Sequence, residues 1–500
     1  MTDAWIYWLA FLLYCAIVIG IGYYIWWKER GLPEKESNVH YWAAGKQLSG
    51  WSSGLSISAS MMSISWSCVY GVQLFYWYGI GAAWLLIIPW LLTMAGFYTF
   101  APLFRKLESF SQPELLEKRF GTRSRQLLAP ALIFVFIVWA GAEIYAAGIT
   151  IAPFLGISVP QTLLIIALVV ALYSFTGGFE AVVSTDKIQF ALVAFFITMM
   201  AIIGIKATGE LNVGWNELIA ATHKAPKNTP DAPWYLSPGF ALIGLTFFAY
   251  LPGWLVETDV WIRLQAARSN REARKGILIA GINSLIFVGV IPMLIGLSAL
   301  ILYPPLNGQI PPDLQDGALI FSRLMQDHST LGLNVVLGIG LVAAAMSTVD
   351  TCGNVVALSL SYDLVEPFLQ RKKGWSEKKL NTLARWMSVL AIFLAYLYAL
   401  NTDSLWDIFY LSSGILTTTV FLPVIAVFVP SASSRQANMA AICGFFSTLL
   451  FYYLESRGFL ASLEPVWFAS TQVGYILLGF MGSLVGFLIA SRSSNESPIS

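Results

Sequence analysis

The 500-residue chain is 57% hydrophobic and 11% charged, with a mean hydropathy of +0.69, where a soluble domain carries roughly 25% charged residues. That composition defines an integral membrane protein, and the net charge of +1 excludes the basic surface that a nucleic-acid partner requires. Cys15, Cys68, Cys352 and Cys443 sit in apolar runs without CxxC spacing, His40, His223 and His328 are scattered outside those runs, and GxxxxGK[ST] is absent, so no metal cluster, catalytic triad or nucleotide engine is visible and the chain does not read as an enzyme.

Runs long enough to cross a bilayer, about 20 apolar residues each, are taken in chain order. The first, 5–27, follows MTDA and precedes Lys28 and Arg30; it lacks the leading basic region of a secretory signal and is expected to be an uncleaved helix. Next comes 50–79, which opens on GWSSGLSISASMMSISW, where weak helix formers favour local unwinding and free backbone carbonyls. Runs at 80–101, 127–155, 158–176 and 186–207 follow. The run 237–265 holds FFAYLPGWLVETDVW, in which Pro252–Gly253 should break the helix or kink it, with Glu257 and Asp259 just beyond. After 276–302 comes 331–362, carrying AAAMSTVDTCGN, and then 384–400, 404–430, 436–454 and 469–490. The expectation is an all-α polytopic membrane protein of about thirteen transmembrane helices.

Alternation of these spans puts 24 of the 29 Lys and Arg residues on one side, which by the positive-inside rule places the amino terminus outside and the carboxyl terminus in the cytoplasm of a cell-membrane protein. The external connections 208–236 and 303–330 are Pro-rich and expected to be ordered. Breaks in the second and seventh spans are five helices apart, and a five-helix unit reverses its orientation on repetition. This suggests a 5+5 inverted-repeat core, with 50–207 as first repeat, 237–430 as second, 5–27 as an extra amino-terminal helix and 436–490 as two carboxyl-terminal helices.

Within AAAMSTVDTCGN, Ala344, Ser347, Asp350, Thr351 and Asn354 recur every three or four residues and share a face, with Thr348 beside Thr351. A polar face in hydrocarbon must turn toward protein, water or an ion; hydroxyl and carbonyl oxygens suit a small hard cation. Back-bonding of Ser and Thr to their own helix is the plainer alternative.

Three stretches together, YSFTGGFEAVVSTDKIQ at 173–189, AAAMSTVDTCGN, and VWIRLQAARSNREARKG at 260–276, make the chain resemble the sodium:solute symporter family over nearly its whole length. The resemblance implies a core like that of the leucine transporter, Na+ as coupling ion, and a sodium site formed by carbonyls of Ala59, Met62 and Ala344 with the hydroxyls of Ser347 and Thr348. It also implies that Asp186, Asp350 and Thr351, with Ser347, hold a second sodium or mark the exit path of the first; Asp186 as a loop carboxylate capping a helix is the other reading. Sugar transporters of the family place amides on the first core helix where this chain has Met61 and Trp66. The residues at hand for a solute are aromatic and acidic: Trp66, Trp139, Trp254 and Phe409 with Glu143 and Glu257, and Trp139 aligns with a Trp of the choline-transporter branch. Such a set suits a cationic or zwitterionic amine, although aromatics in membrane helices more often pack or anchor. The expected function is sodium-coupled import of a small polar organic solute by alternating access, an amine, amino acid or other zwitterion. The alternatives are a solute sensor derived from a transporter, or a channel without sodium coupling. The partners implied are the small-molecule solute and the lipid bilayer, with no nucleic acid and no obligatory protein partner.

Overall fold

The computed structural model describes residues 4–29, 46–176, 179–209, 211, 214–370, 377–461 and 464–492. The signature glycines Gly177 and Gly178, and the loop cations Arg30, Lys35, Arg371, Lys372 and Lys373, lie outside the described residues. Among the described residues the architecture is helical, and the only β-bridges are isolated ones, Leu48 with Ala267 and Leu306 with Gln309.

Ten helices are long and apolar enough to cross a membrane, and a bent pair makes eleven. Two further apolar helices, Val159–Thr176 and Tyr475–Arg492, accompany these spans, and the exact count of thirteen crossings is not established among the described residues. Of the two long Pro-rich connections, 208–236 carries the helix Trp215–His223 and 303–330 the helix Ile320–His328 among the described residues.

The elements that build the site begin after α1 (Ala4–Glu29). Helix α2 (Gly50–Met61) starts on Ser49, whose hydroxyl accepts the Ser52 amide at 3.2 Å. It runs closely along the helix Asn270–Ser284: a Cβ on Gly50 or Gly54 would lie 2.8 Å from the carbonyl oxygen of Glu272 or Gly276. This is the close approach that small residues four apart permit in membrane helices. Its hydroxyls do not go unpaired, since Ser58 Oγ donates to Gly54 O at 2.7 Å and Ser60 Oγ to Ser56 O at 3.3 Å.

The helix breaks at Met62–Ser63 and resumes with a 48° bend. Ser63 starts the second half, accepting the Trp66 amide at 2.9 Å and, through its carbonyl, the Ser67 hydroxyl at 2.6 Å. A π-helical stretch, Ile64–Gly71, leads into α3 (Val72–Tyr78). Helices α4 (Thr122–Leu155) and α5 (Phe179–Gly209) follow.

The second broken helix comprises α6 (Phe240–Trp254) and α7 (Thr258–Ala266). The break lies at Leu255–Glu257, a few residues later than Pro252–Gly253 predicts. Thr417 explains the shift: its hydroxyl accepts the Gly253 amide at 2.9 Å and donates to Ala249 O at 2.6 Å, so a neighbouring side chain bridges the ladder where the proline weakens it. Gly253 makes room for this, because a Cβ there would sit 2.7 Å from Leu416 Cβ. Helices α8 (Leu331–Ala357) and α9 (Leu405–Ile415) complete the walls around the break.

A candidate ion and solute site at two broken helices

Between the breaks lies a cavity with about 490 Å³ of empty volume, and all six residues expected to touch a solute line it: Trp66, Trp139, Glu143, Trp254, Glu257 and Phe409. They come from the second half of the first broken helix, from α4, from the end of α6 and its break, and from α9. Phe409 stands edge-on to Trp66 at 4.6 Å between ring centroids, and Trp254 at 5.6 Å. The indole N–H groups are turned away to hydroxyls of α9: Trp139 donates to Ser412 at 2.7 Å and Trp254 to Ser413 at 3.2 Å. A buried indole N–H needs such a partner, and one face of the Trp254 ring is stacked on Tyr250 at 4.3 Å between centroids.

Trp90 also lines the cavity, against Trp254 at 5.4 Å, with its N–H on Ser284 at 3.0 Å. It escaped sequence reading because it lies in an apolar run, IIPWLLTM, where a Trp reads as packing or interface. The polar wall is Glu143, 1% exposed. It accepts the Ser65 amide at 3.2 Å and the Ser65 hydroxyl, which ties α4 to the resumed half of the first broken helix. Glu257 begins α7 in an extended conformation, makes no side-chain cap bond and lines the cavity.

The five residues expected to bind sodium lie beside that cavity. Ser347 Oγ reaches both Ala59 O and Ala344 O at 3.1 Å, joining the end of α2 to the middle of α8. Thr348 Oγ1 reaches Ser60 O at 3.0 Å and also lines the cavity. Met62 stands at the break, with its amide on Ser58 O at 2.9 Å, but the hydroxyl of Thr348 is directed to the Ser60 carbonyl, which the sequence reading had not named. A cluster of carbonyl and hydroxyl oxygens at a helix break is the donor set a hard monovalent cation needs.

Asp186 and Thr351 meet as well, but on a guanidinium. Arg263, counted from sequence among the cytoplasmic loop cations, is buried in α7 at 1% exposure. Its Nη2 lies 3.3 Å from Asp186 Oδ2, 3.2 Å from Thr351 Oγ1 and 3.1 Å from Ser60 Oγ; its Nε donates to Ser56 at 2.8 Å and its Nη1 to Asp259. Ser56 also donates to Asp186. Asp350 is buried on α8, one turn from Ser347, within electrostatic reach of the same guanidinium. Asp186 is therefore an interior group facing α2 rather than a solvated loop cap. No signal in the sequence separated Arg263 from the nearby Arg268, Arg271 and Arg274 except that Trp261 and Leu264 flank it.

Two discontinuous helices crossing beside a polar cluster, in an all-helical bundle of membrane length, define a secondary transporter. The chain matches the sodium:solute symporter family over residues 41–444. It is 30% identical over 415 residues to a sodium/glucose cotransporter of Vibrio parahaemolyticus, covering 78% of this chain and 74% of that one. It is 24% identical over 508 residues to a sodium/sialic acid symporter of Aliivibrio fischeri, covering 98% and 93%. The fold superposes on a sodium-coupled sialic acid symporter in a substrate-bound outward-open state, with a TM-score of 0.73 at 20% identity over 98% of both chains. The protein belongs to the sodium:solute symporter family. It is a sodium-coupled importer of a small-molecule solute in a lipid bilayer, and a transporter rather than an enzyme.

Proposed function

We propose that sodium binds between the end of α2 and the middle of α8, on the carbonyls of Ala59, Met62 and Ala344 and the hydroxyls of Ser347 and Thr348, and that the solute, an amine, amino acid or other zwitterion, occupies the aromatic cavity. The observation that carries this reading is Thr348. It bonds the broken helix through Ser60 O at 3.0 Å and lines the cavity, so one side chain belongs to both sites. Sodium drawn onto these oxygens would hold α2 against α8 and shape the cavity wall. Solute binding must then raise sodium affinity by the factor by which sodium raises solute affinity.

The solutes named for the relatives, glucose and sialic acid, fit this lining poorly. A sialic acid carries a carboxylate, and no Lys, Arg or His lines the cavity among the described residues. Asp186, Asp350 and Thr351, arranged around Arg263, serve either a second ion or the path by which the first leaves. The repeats run 50–207 and 237–430, and the amino terminus is external, supported by the 24 of 29 basic residues that alternate to the other side. Purified protein should transport without a protein partner.

The test is uptake into proteoliposomes at varied sodium. Ser347→Ala and Thr348→Ala should each raise the half-saturating sodium concentration about ten-fold, the scale of one lost charge-assisted contact. An unchanged sodium dependence in both variants would remove the site from α8. Counterflow of labelled solute separates a carrier from a channel.

A further inference from the structure

The charge and hydrogen bonding of the cavity narrow the solute, a step that rests on the assignment of the solute to this cavity. Two carboxylates, Glu143 and Glu257, line it, and no Lys, Arg or His does among the described residues. Each is 1% exposed, and they come from separate elements, Glu143 from α4 and Glu257 from the break before α7. Glu143 Oε1 is engaged by the Ser65 amide and hydroxyl, and the Ser63 hydroxyl and Ile64 amide also lie close to this carboxylate. Glu143 Oε2 and Glu257 Oε1 are buried and make no hydrogen bond among the described residues. The basic group nearest in the chain to Glu257, Arg263, is committed to Asp259, Asp186, Ser56, Ser60 and Thr351, and it makes no ion pair with Glu257 among the described residues.

Leaving a carboxylate oxygen in a dry pocket without a donor is costly, and the cost is greatest for an ionised one. Two such oxygens on carboxylates that line one cavity call for a ligand that brings positive charge and N–H donors together. The ring faces of Trp66, Trp139 and Trp254 attract a cation. A trimethylammonium group satisfies those faces but has no N–H to give. An amino acid supplies N–H groups but adds a carboxylate to a lining that already holds two. We infer that the transported solute is a protonated primary or secondary amine without a carboxylate, held by N–H donation to Glu143 Oε2 and Glu257 Oε1 against the indole faces.

Binding is measured in purified, reconstituted protein by calorimetry in sodium chloride, with ethanolamine, 1,4-diaminobutane, choline, glycine betaine, proline and glucose as probes. Ethanolamine or 1,4-diaminobutane should bind at least about ten-fold more tightly than choline or betaine, as expected for charge-assisted hydrogen bonds gained or lost. Glu143→Gln and Glu257→Gln should each weaken amine binding about ten-fold or more, while a sodium-induced rise in melting temperature shows that each variant is folded. Glu143→Asp, which keeps the charge, should retain more amine affinity than Glu143→Gln. Choline, betaine, proline or glucose binding as tightly as the amines would overturn the inference, as would unchanged amine affinity in both Gln variants or no binding of either amine. Amine binding of the same strength and selectivity in potassium chloride would uphold the amine while removing the proposed link between the cavity and the sodium site, so the two failures are distinguishable.

Discussion

Arg263 is the residue whose position most changes the meaning of its neighbours. A guanidinium presents several donors in a fixed plane, and here they tie α7 to Ser56 and Ser60 of α2, Asp186 of α5 and Thr351 of α8. Removing it would strand Asp186 and Asp259 in the interior. Arg263→Ala is expected to destabilise the protein by about 3–5 kcal/mol, the cost of breaking one partner out of a buried ion pair, read as a large loss of melting temperature in detergent. Arg263→Lys should recover only part of that loss, because an ammonium cannot span the same set of acceptors. Ser347 and Thr348 stood out in the sequence as part of a polar face inside an apolar run, and their assignment to sodium came from the family resemblance. Arg263 was not, because one basic residue a few positions before a basic loop reads as part of that loop.

At the scale of elements, both interruptions were visible as composition, but their mechanics were not. Ser49 and Ser63 each start one half of the first broken helix, a local pattern that capping chemistry predicts. In the second, Pro252 and Gly253 mark the weakness, while Thr417, far away in the chain, decides where the helix ends. Thr417→Val keeps the shape and deletes the hydroxyl, leaving the Gly253 amide and Ala249 carbonyl without their partner. The expected cost is about 1–3 kcal/mol, with faster amide exchange at Gly253 than in the parent protein; unchanged exchange there would mean the ladder does not depend on Thr417.

For the whole molecule, sodium is a ligand of the folded state and should stabilise it in proportion to occupancy. At a sodium concentration 100 times its dissociation constant the gain is about 2.7 kcal/mol, and it should be visible as a higher melting temperature in sodium chloride than in potassium chloride. The difference should shrink in Ser347→Ala. At one end of the bundle Lys227 Nζ lies 3.3 Å from the Trp77 ring centroid and 2.7 Å from Asp316, whose carbonyl accepts the Trp77 indole at 2.7 Å. That clasp joins the connections 208–236 and 303–330 to α3, so the larger sodium effect is expected away from it, around α2 and α8.

The sequence by itself determined the solvent, the helical class and the two weak points, because each follows from residue types over short windows: apolar length, Pro and Gly placement, and hydroxyls where lipid would forbid them. Only the tertiary structure decided which of these residues meet. Glu143 and Glu257 are more than a hundred positions apart yet line one cavity, Trp90 joins them from an unremarkable apolar run, and Asp186 and Thr351 find Arg263 between them. Helix packing brings distant faces together, and the pairing of buried charges and hydrogen bonds across those faces is a property of the packed bundle that no local window of sequence contains.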